Sequence, residues 1–119
     1  MIESLDHVII AVNNLEEAEQ NYQNILGIKP SWRGHHKEWG TSNSLFNLQN
    51  MYLELLAATE DGVGAQLVKN KIKNDGEGLM GIVFGTNDLD SLRVKLINHG
   101  YSLPDQSHGE GFNAANNLK

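Results

Sequence analysis

Residues 5–12, LDHVIIAV, form a short apolar run rich in β-branched residues with a histidine near its start. Such a run predicts a β-strand covered on both faces, with His7 on the same face as every second residue. The following residues predict a helix, because Asn13 or Asn14 can cap its start and Gly27 supplies a left-handed stop after a stripe of apolar positions. The chain therefore begins with a strand and a helix.

The same pattern returns 74 residues later in the chain. LDHVIIAVNNLE at 5–16 aligns with LMGIVFGTNDLD at 79–90, and Gly81 stands where the first copy has His7. A second amphipathic stripe then follows and ends at Gly100, as the first ended at a glycine. This self-similarity indicates an internal repeat.

Further strand candidates between the two copies complete a β-α-β-β-β module. We expect a first module at 1–58, a connector at 59–78 and a partial second module at 79–119, because the counterpart of the last strand would fall past residue 119. The predicted fold class is α+β, an open curved mixed sheet with helices on its outer face. An open sheet edge is normally covered, so we expect a homodimer, a strand exchange or a shortened chain. The additional strands are predicted at about 29–33, 42–48 and 51–57.

Composition narrows the classes of function. The chain has 119 residues, 39% of them apolar, and a net charge of −6, which favours one globular core and argues against nucleic acid or an anionic membrane as partner. It has no cysteine, which excludes a disulfide framework, a thiolate zinc site and a cysteine nucleophile. We expect a cytoplasmic protein whose partner is a small molecule.

Three segments carry a family resemblance. LDHVIIAVNNLEEAEQNYQNILG, GTSNSLFNL and YLELLA, followed by the β-α repeat, resemble the vicinal oxygen chelate superfamily over roughly residues 3–103. More narrowly they resemble its glyoxalase-like domains, whose members include glyoxalase I, extradiol dioxygenases and bleomycin-resistance proteins. The resemblance implies paired modules that curl into a cleft, with metal ligands on the first and last strands of each module.

The resemblance places ligand or catalytic roles on His7 and Glu54. An imidazole and a carboxylate on one sheet face suit one divalent metal ion, Zn²⁺, Ni²⁺, Mn²⁺ or Fe²⁺. In the second module Gly81 replaces the histidine and the glutamate position falls past residue 119, so one chain supplies half of the site. The alternative is a direct His7–Glu54 hydrogen bond that satisfies both groups without metal.

The same resemblance suggests a ligand pocket. GTSNSLFNL is similar to a pocket-lining strand of glyoxalase-like domains, which assigns Thr41 and Asn43 to the pocket, and we assign Tyr52 to it as well. The indoles of Trp32 and Trp39 suit a flat apolar ligand beside a cleft. The alternative is that these side chains belong to a solvated sheet face or to packing.

Three functions are consistent with these patterns, and the sequence leaves open whether the protein is an enzyme. The first is a small-molecule-binding protein of the glyoxalase and bleomycin-resistance kind, without a complete metal site in one chain. The second is a metal-dependent lyase or isomerase, related to glyoxalases or dioxygenases, whose site is completed by a partner chain. The third is a truncated module without activity of its own.

Overall fold

The computed structural model of the protein describes residues 1–106. Within them, five strands form one mixed sheet in the order β2-β3-β4-β1-β5, with β1 parallel to β4 and antiparallel to β5. This arrangement confirms the α+β class and the open mixed sheet. The elements are β1 (Ile2–Ala11), α1 (Leu15–Leu26), β2 (Trp32–His36), β3 (Thr41–Asn47), β4 (Tyr52–Ala58), α2 (Val63–Asp75), β5 (Gly78–Thr86) and α3 (Leu89–Asn98).

The first helix begins and ends as the sequence predicts. The side-chain oxygen of Asn14 accepts a hydrogen bond from the backbone N–H of Glu17 at 3.0 Å, which closes the helix N-terminus. At the other end Gly27 adopts a left-handed φ of 73°, and its N–H donates to the carbonyl of Gln23 at 2.8 Å. These two caps fix the angle at which the chain returns to the sheet.

Strand β2 lies further along the chain than the sequence predicts. The expected range was 29–33, whereas the strand spans Trp32–His36 and includes Gly34 and two histidines. Within the described sheet it is an edge strand that pairs only with β3. Its polar residues can therefore face solvent, and its sequence resembles that of a loop. The shift places Trp32 at the start of the strand and Gly34 opposite Asn43.

Helix α1 covers one face of the sheet. Its apolar stripe packs against a buried cluster contributed by the chain after β1 and by strands β3 and β4. Removing this surface from water is the main source of stability in such a layer. The cluster comprises Val12, Phe46, Leu55 and Ala57, and the partly buried residues against it include Leu15, Ala18, Tyr22 and Leu26.

Helix α2 approaches the opposite face of the sheet. It contacts β4, β5 and β1, and a Cβ added at Gly64 would lie 3.3 Å from the Thr41 methyl group, on the side of β3 that also carries Asn43. Ala65 and Val68 of this helix are buried outside the α1 cluster. One end of this face is therefore covered by α2, and His7 and Glu54 lie on the same face.

The two copies of the repeat meet in the pairing of β1 with β5. Val8 pairs with Ile82, its own counterpart 74 residues on, so this pair marks a local two-fold axis between the copies. Around that axis the register pairs His7 with Val83 and Ile9 with Gly81. Gly81 therefore lies diagonally across from His7.

The outer strand and the last helix leave apolar surface exposed. Leu79, Ile82 and Phe84 of β5 are more than half exposed, as are Val94 and Ile97 of α3. Helix α3 has no buried residue. Across residues 1–106 the helices are too short or too polar to span a membrane.

Candidate functional site

His7 is held between two carboxylates on the face of the sheet opposite helix α1. Its Nδ1 lies 2.8 Å from Oδ2 of Asp6, and its Nε2 lies 3.1 Å from Oε1 of Glu54. The side chains of His7 and Glu54 are each only 12% exposed. Glu54 reaches His7 because β1 and β4 are parallel neighbours that pair His7 with Tyr52 and Ile9 with Glu54.

The second oxygen of Glu54 is held by the neighbouring strand. The Asn43 amide donates to Oε2 of Glu54 at 2.8 Å, and the Trp32 indole N–H donates to Oδ1 of Asn43 at 3.1 Å. Asn43 is 5% exposed. Polar contacts thus run continuously across four strands, from Asp6 and His7 through Glu54 and Asn43 to Trp32; we call these five residues the polar chain.

The protonation state of His7 decides whether a proton lies between its Nε2 and the Glu54 carboxylate. With both carboxylates ionised, only an imidazolium can donate to Asp6 and Glu54 together. A neutral imidazole that donates from Nδ1 to Asp6 instead directs a nitrogen lone pair at a carboxylate oxygen. That pair of facing acceptors is a position for a proton or for a cation.

These donors suit a divalent metal ion in their type. A metal-binding histidine commonly donates its other ring N–H to a carboxylate, which is what Asp6 provides for His7, and a ligating carboxylate is commonly hydrogen-bonded in turn, as Asn43 does for Glu54. In the described part of the chain, however, no group of three or more histidine, aspartate, glutamate or cysteine side chains gathers around one point. The described residues therefore bring together two candidate ligands, His7 and Glu54.

Tyr52 packs against His7 and carries a perturbed hydroxyl. Its ring stacks on the imidazole with centroids 4.3 Å apart and planes inclined by 12°. Burial, followed by the charge of Asp6, a hydrogen bond with Asp6 and the charge of Glu54, raises the pKa of Tyr52 to about 12. The phenol therefore keeps its proton near neutral pH and acts as a donor.

The structure brings together most of the residues singled out from the sequence. The contacts of the polar chain connect four of them in series: His7, Glu54, Asn43 and Trp32. Tyr52 joins them through its ring stack on His7. Two further pocket candidates lie elsewhere, beside the start of α2. The Trp39 carbonyl accepts from the N–H of Ala65 at 2.9 Å, and Thr41 is buried next to Gly64.

Sequence reasoning missed Asp6. Neighbouring residues of a regular strand point to opposite faces, which argues against a contact between Asp6 and the His7 ring. The β1–β5 pairing has a register irregularity between Leu5 and His7, and such bulges re-aim side chains. An acidic residue directly before a strand histidine was the only signal available in the sequence.

His7 and Glu54 lie outside the main concave regions of the described residues. Five concave regions of the described chain have volumes from about 280 to 520 Å³; none of the five includes His7 or Glu54, and one of them includes Asn43. A small molecule bound over His7 would need walls beyond those that this sheet face supplies.

A profile of the glyoxalase-like domain matches residues 5–114. The chain belongs to the glyoxalase-like domain family. This confirms the resemblance seen in the sequence and places the protein in the vicinal oxygen chelate superfamily. The ethylmalonyl-CoA/methylmalonyl-CoA epimerase of Cereibacter sphaeroides is 31% identical to this glyoxalase-like protein over 100 residues, which cover 84% of the chain and 73% of the relative.

Solved structures show the same fold. A variant of the Streptomyces coelicolor methylmalonyl-CoA epimerase, in complex with 2-nitronate-propionyl-CoA, superposes with a TM-score of 0.76 at 24% identity and covers 90% of this chain and 81% of its own. The methylmalonyl-CoA epimerase from Mycobacterium tuberculosis gives a TM-score of 0.71 at 24% identity, over 83% of this chain and 65% of its own. The glyoxalase-like protein thus shares its fold with enzymes that bear the epimerase name.

Proposed function

We propose that this glyoxalase-like protein is a metal-dependent isomerase of the epimerase kind, acting on an acyl-CoA thioester such as methylmalonyl-CoA. The observation that carries the proposal is the 3.1 Å approach of His7 Nε2 to Glu54 Oε1, with the far atom of each side chain already hydrogen-bonded. A curated relative with 31% identity is an epimerase of such thioesters by name. The activity extends the small-molecule binding expected from the sequence.

The proposed roles follow from the contacts. His7 and Glu54 would hold the ion, Asp6 orients the imidazole through Nδ1, and Asn43 orients the carboxylate through Oε2. A bound divalent ion would polarise the thioester carbonyl and so acidify the adjacent C–H bond. Tyr52, which keeps its proton, would present an O–H donor beside the imidazole.

The remaining ligands would come from the substrate and from a second copy of the chain. We propose a homodimer because the outer edge of β5 is unpaired within the described sheet and its Leu79, Ile82 and Phe84 are exposed. A sedimentation measurement of native mass tests the dimer directly. A monomer at micromolar concentration that still binds metal tightly would contradict completion of the site by a partner.

The test of the proposed function is isotope exchange in the presence of metal. Protein freed of metal and then loaded separately with Zn²⁺, Ni²⁺, Mn²⁺ or Fe²⁺ is incubated with methylmalonyl-CoA in D₂O, and deuterium at the α-carbon is followed by mass spectrometry. We expect uptake with at least one ion, and its loss in His7→Ala and in Glu54→Gln. His99→Ala and Glu38→Gln serve as matched controls, because both residues lie outside the polar chain and are exposed.

A binding protein without turnover is the second candidate, favoured by Gly81. The residue diagonal to His7 has no side chain, so the described residues leave the ion with two protein ligands. Under this candidate the protein binds the thioester, measured by calorimetry, but no ion supports deuterium uptake. If the protein neither binds the thioester nor catalyses exchange, both candidates fail.

A further inference from the structure

We infer that Trp32 and Asn43 act as positioning residues that fix the orientation of the Glu54 carboxylate. The inference rests on the proposed function in that it takes Glu54 as the carboxylate that holds the ion. These three residues lie on adjacent strands, β2, β3 and β4, and two hydrogen bonds of 3.1 and 2.8 Å connect them. We call this set of bonds the Trp–Asn relay.

The register of the sheet explains how the relay spans three strands. Leu45 of β3 lies opposite Trp32 on one side and opposite Glu54 on the other. Asn43, two residues from Leu45 on the same face, is therefore the diagonal neighbour of both side chains. Diagonal neighbours are within reach of long and aromatic side chains, which is the geometry that the two hydrogen bonds use.

The indole determines which way the Asn43 amide points. An indole N–H can only donate, so it binds the carbonyl oxygen of Asn43 and leaves the NH₂ group for Glu54. A flipped amide would place its NH₂ against the indole N–H and its oxygen against the carboxylate, so both contacts would be lost. Trp32 thereby ensures that Glu54 meets a donor.

Gly34 makes room for this arrangement. It lies opposite Asn43, and a Cβ at this position would sit 2.4 Å from Trp32 Nε1 and 2.9 Å from Asn43 Oδ1. Real Cβ atoms do not approach neighbours so closely, so any side chain at 34 must displace the indole. The φ angle of Gly34 is not positive, so the lack of space for a Cβ, and not the backbone conformation, requires glycine at this position.

Fixing one oxygen of Glu54 also directs the other. With Oε2 bound to Asn43, Oε1 faces His7 Nε2 at 3.1 Å. Loss of the relay would free the carboxylate to rotate and would separate the two candidate ligands of the ion. Groups that orient metal ligands in this way commonly change metal affinity by about 10- to 100-fold when removed.

The test uses Trp32→Phe, which keeps an aromatic ring but removes the indole N–H, and Gly34→Ala, which leaves the three relay residues unmutated but forces the indole to move. Co²⁺ affinity is measured by calorimetry on the full chain, and the side-chain amide resonances of Asn43 are recorded by NMR on the metal-free protein. Trp39→Phe is the matched indole control for the NMR measurement, because Trp39 lies beside α2.

We expect both relay variants to weaken Co²⁺ binding by about 10-fold or more and to shift the Asn43 amide protons toward solvent-exposed values, while Trp39→Phe leaves those protons unchanged. Trp32→Phe with wild-type amide resonances and wild-type Co²⁺ affinity would overturn the inference. If the wild type binds no metal, the proposed function fails, but the amide resonances still decide the relay. Should Gly34→Ala fail to fold, Trp32→Phe alone decides it.

Discussion

Replacing Glu54 by glutamine separates the stability of the polar chain from its capacity to bind metal. The amide oxygen of glutamine can accept from Asn43 as Oε2 does at 2.8 Å, and its NH₂ can donate to a neutral His7, whose Nδ1–H remains on Asp6. Each contact is then a donor–acceptor pair. Because no hydrogen bond is lost, we expect Glu54→Gln to change the free energy of unfolding by less than about 1 kcal/mol.

Glu54→Ala gives the contrast. It removes the acceptor of the Asn43 amide, and Asn43 is 5% exposed, so water cannot readily replace the lost partner. An unsatisfied buried polar group costs about 1–3 kcal/mol, and removal of the methylene groups of the largely buried glutamate adds to that cost. We therefore expect the alanine variant to be less stable than the glutamine variant by about 2 kcal/mol.

Metal affinity follows a different order. Glutamine is a neutral ligand and alanine is none, so both variants should bind Zn²⁺ at least about 10-fold more weakly than the wild type. Urea unfolding at pH 7.5 with chelator measures stability, and Zn²⁺ titration of metal-free protein measures affinity. A glutamine variant that is as unstable as the alanine variant, or that binds Zn²⁺ like the wild type, would refute this account of the polar chain.

Three further outcomes are expected. Gly81→His should raise Zn²⁺ affinity by about 10-fold or more over Gly81→Ala, because a Cβ at this position meets only Ile9 Cδ1 at 3.8 Å and lies on the face of His7; equal affinities would contradict that placement. The buried hydroxyl of Ser44 donates to the carboxylate of Glu19, a buried residue of helix α1, so Ser44→Ala should cost about 1–2 kcal/mol in urea unfolding at pH 7. Burial opposes ionisation of Glu19, but hydrogen bonds from Arg33 and Ser44 and the charge of Arg33 lower its pKa. The stability that this carboxylate contributes is therefore present above pH 4.5 and is lost on acidification. Ser44→Ala should lose less stability on acidification than the wild type. In an alkaline absorbance titration one of the three tyrosines should ionise near pH 12, and Tyr52→Phe should remove that step; a late step that persists in Tyr52→Phe would assign it elsewhere.

The sequence predicts the scaffold well because the signals for it are local. The caps of α1 at Asn14 and Gly27, the alternation in β1 and the repeat at an offset of 74 residues all depend on neighbouring residues or on simple periodicity. The predicted range of β2 differed from the observed one because an edge strand pairs on one side only and tolerates the polar residues typical of a loop. Patterns in sequence distinguish such a strand from a loop poorly.

The site was predicted in its residue types but not in its contacts. His7 and Glu54 were assigned from the family resemblance, as polar side chains in apolar strands, and a direct hydrogen bond between them was the alternative to a metal ion. The contact of Asp6 depends on a register irregularity, and that of Trp32 depends on the cross-strand register of β2 with β3. Residue spacing along the chain does not predict either register, since both depend on how the strands pair in the folded sheet.

The local two-fold axis explains how the fold tolerates glycine at position 81. The pairing of β1 with β5 around Val8 and Ile82 consists of backbone hydrogen bonds, so it requires no side chain at position 81. Glycine at that position costs the ladder little and removes the symmetric counterpart of His7. The fold and the chemistry are therefore separable in this protein: the backbone pairing builds the scaffold, and under the proposed function the residues at positions 7, 54 and 81 set how many ligands an ion would find.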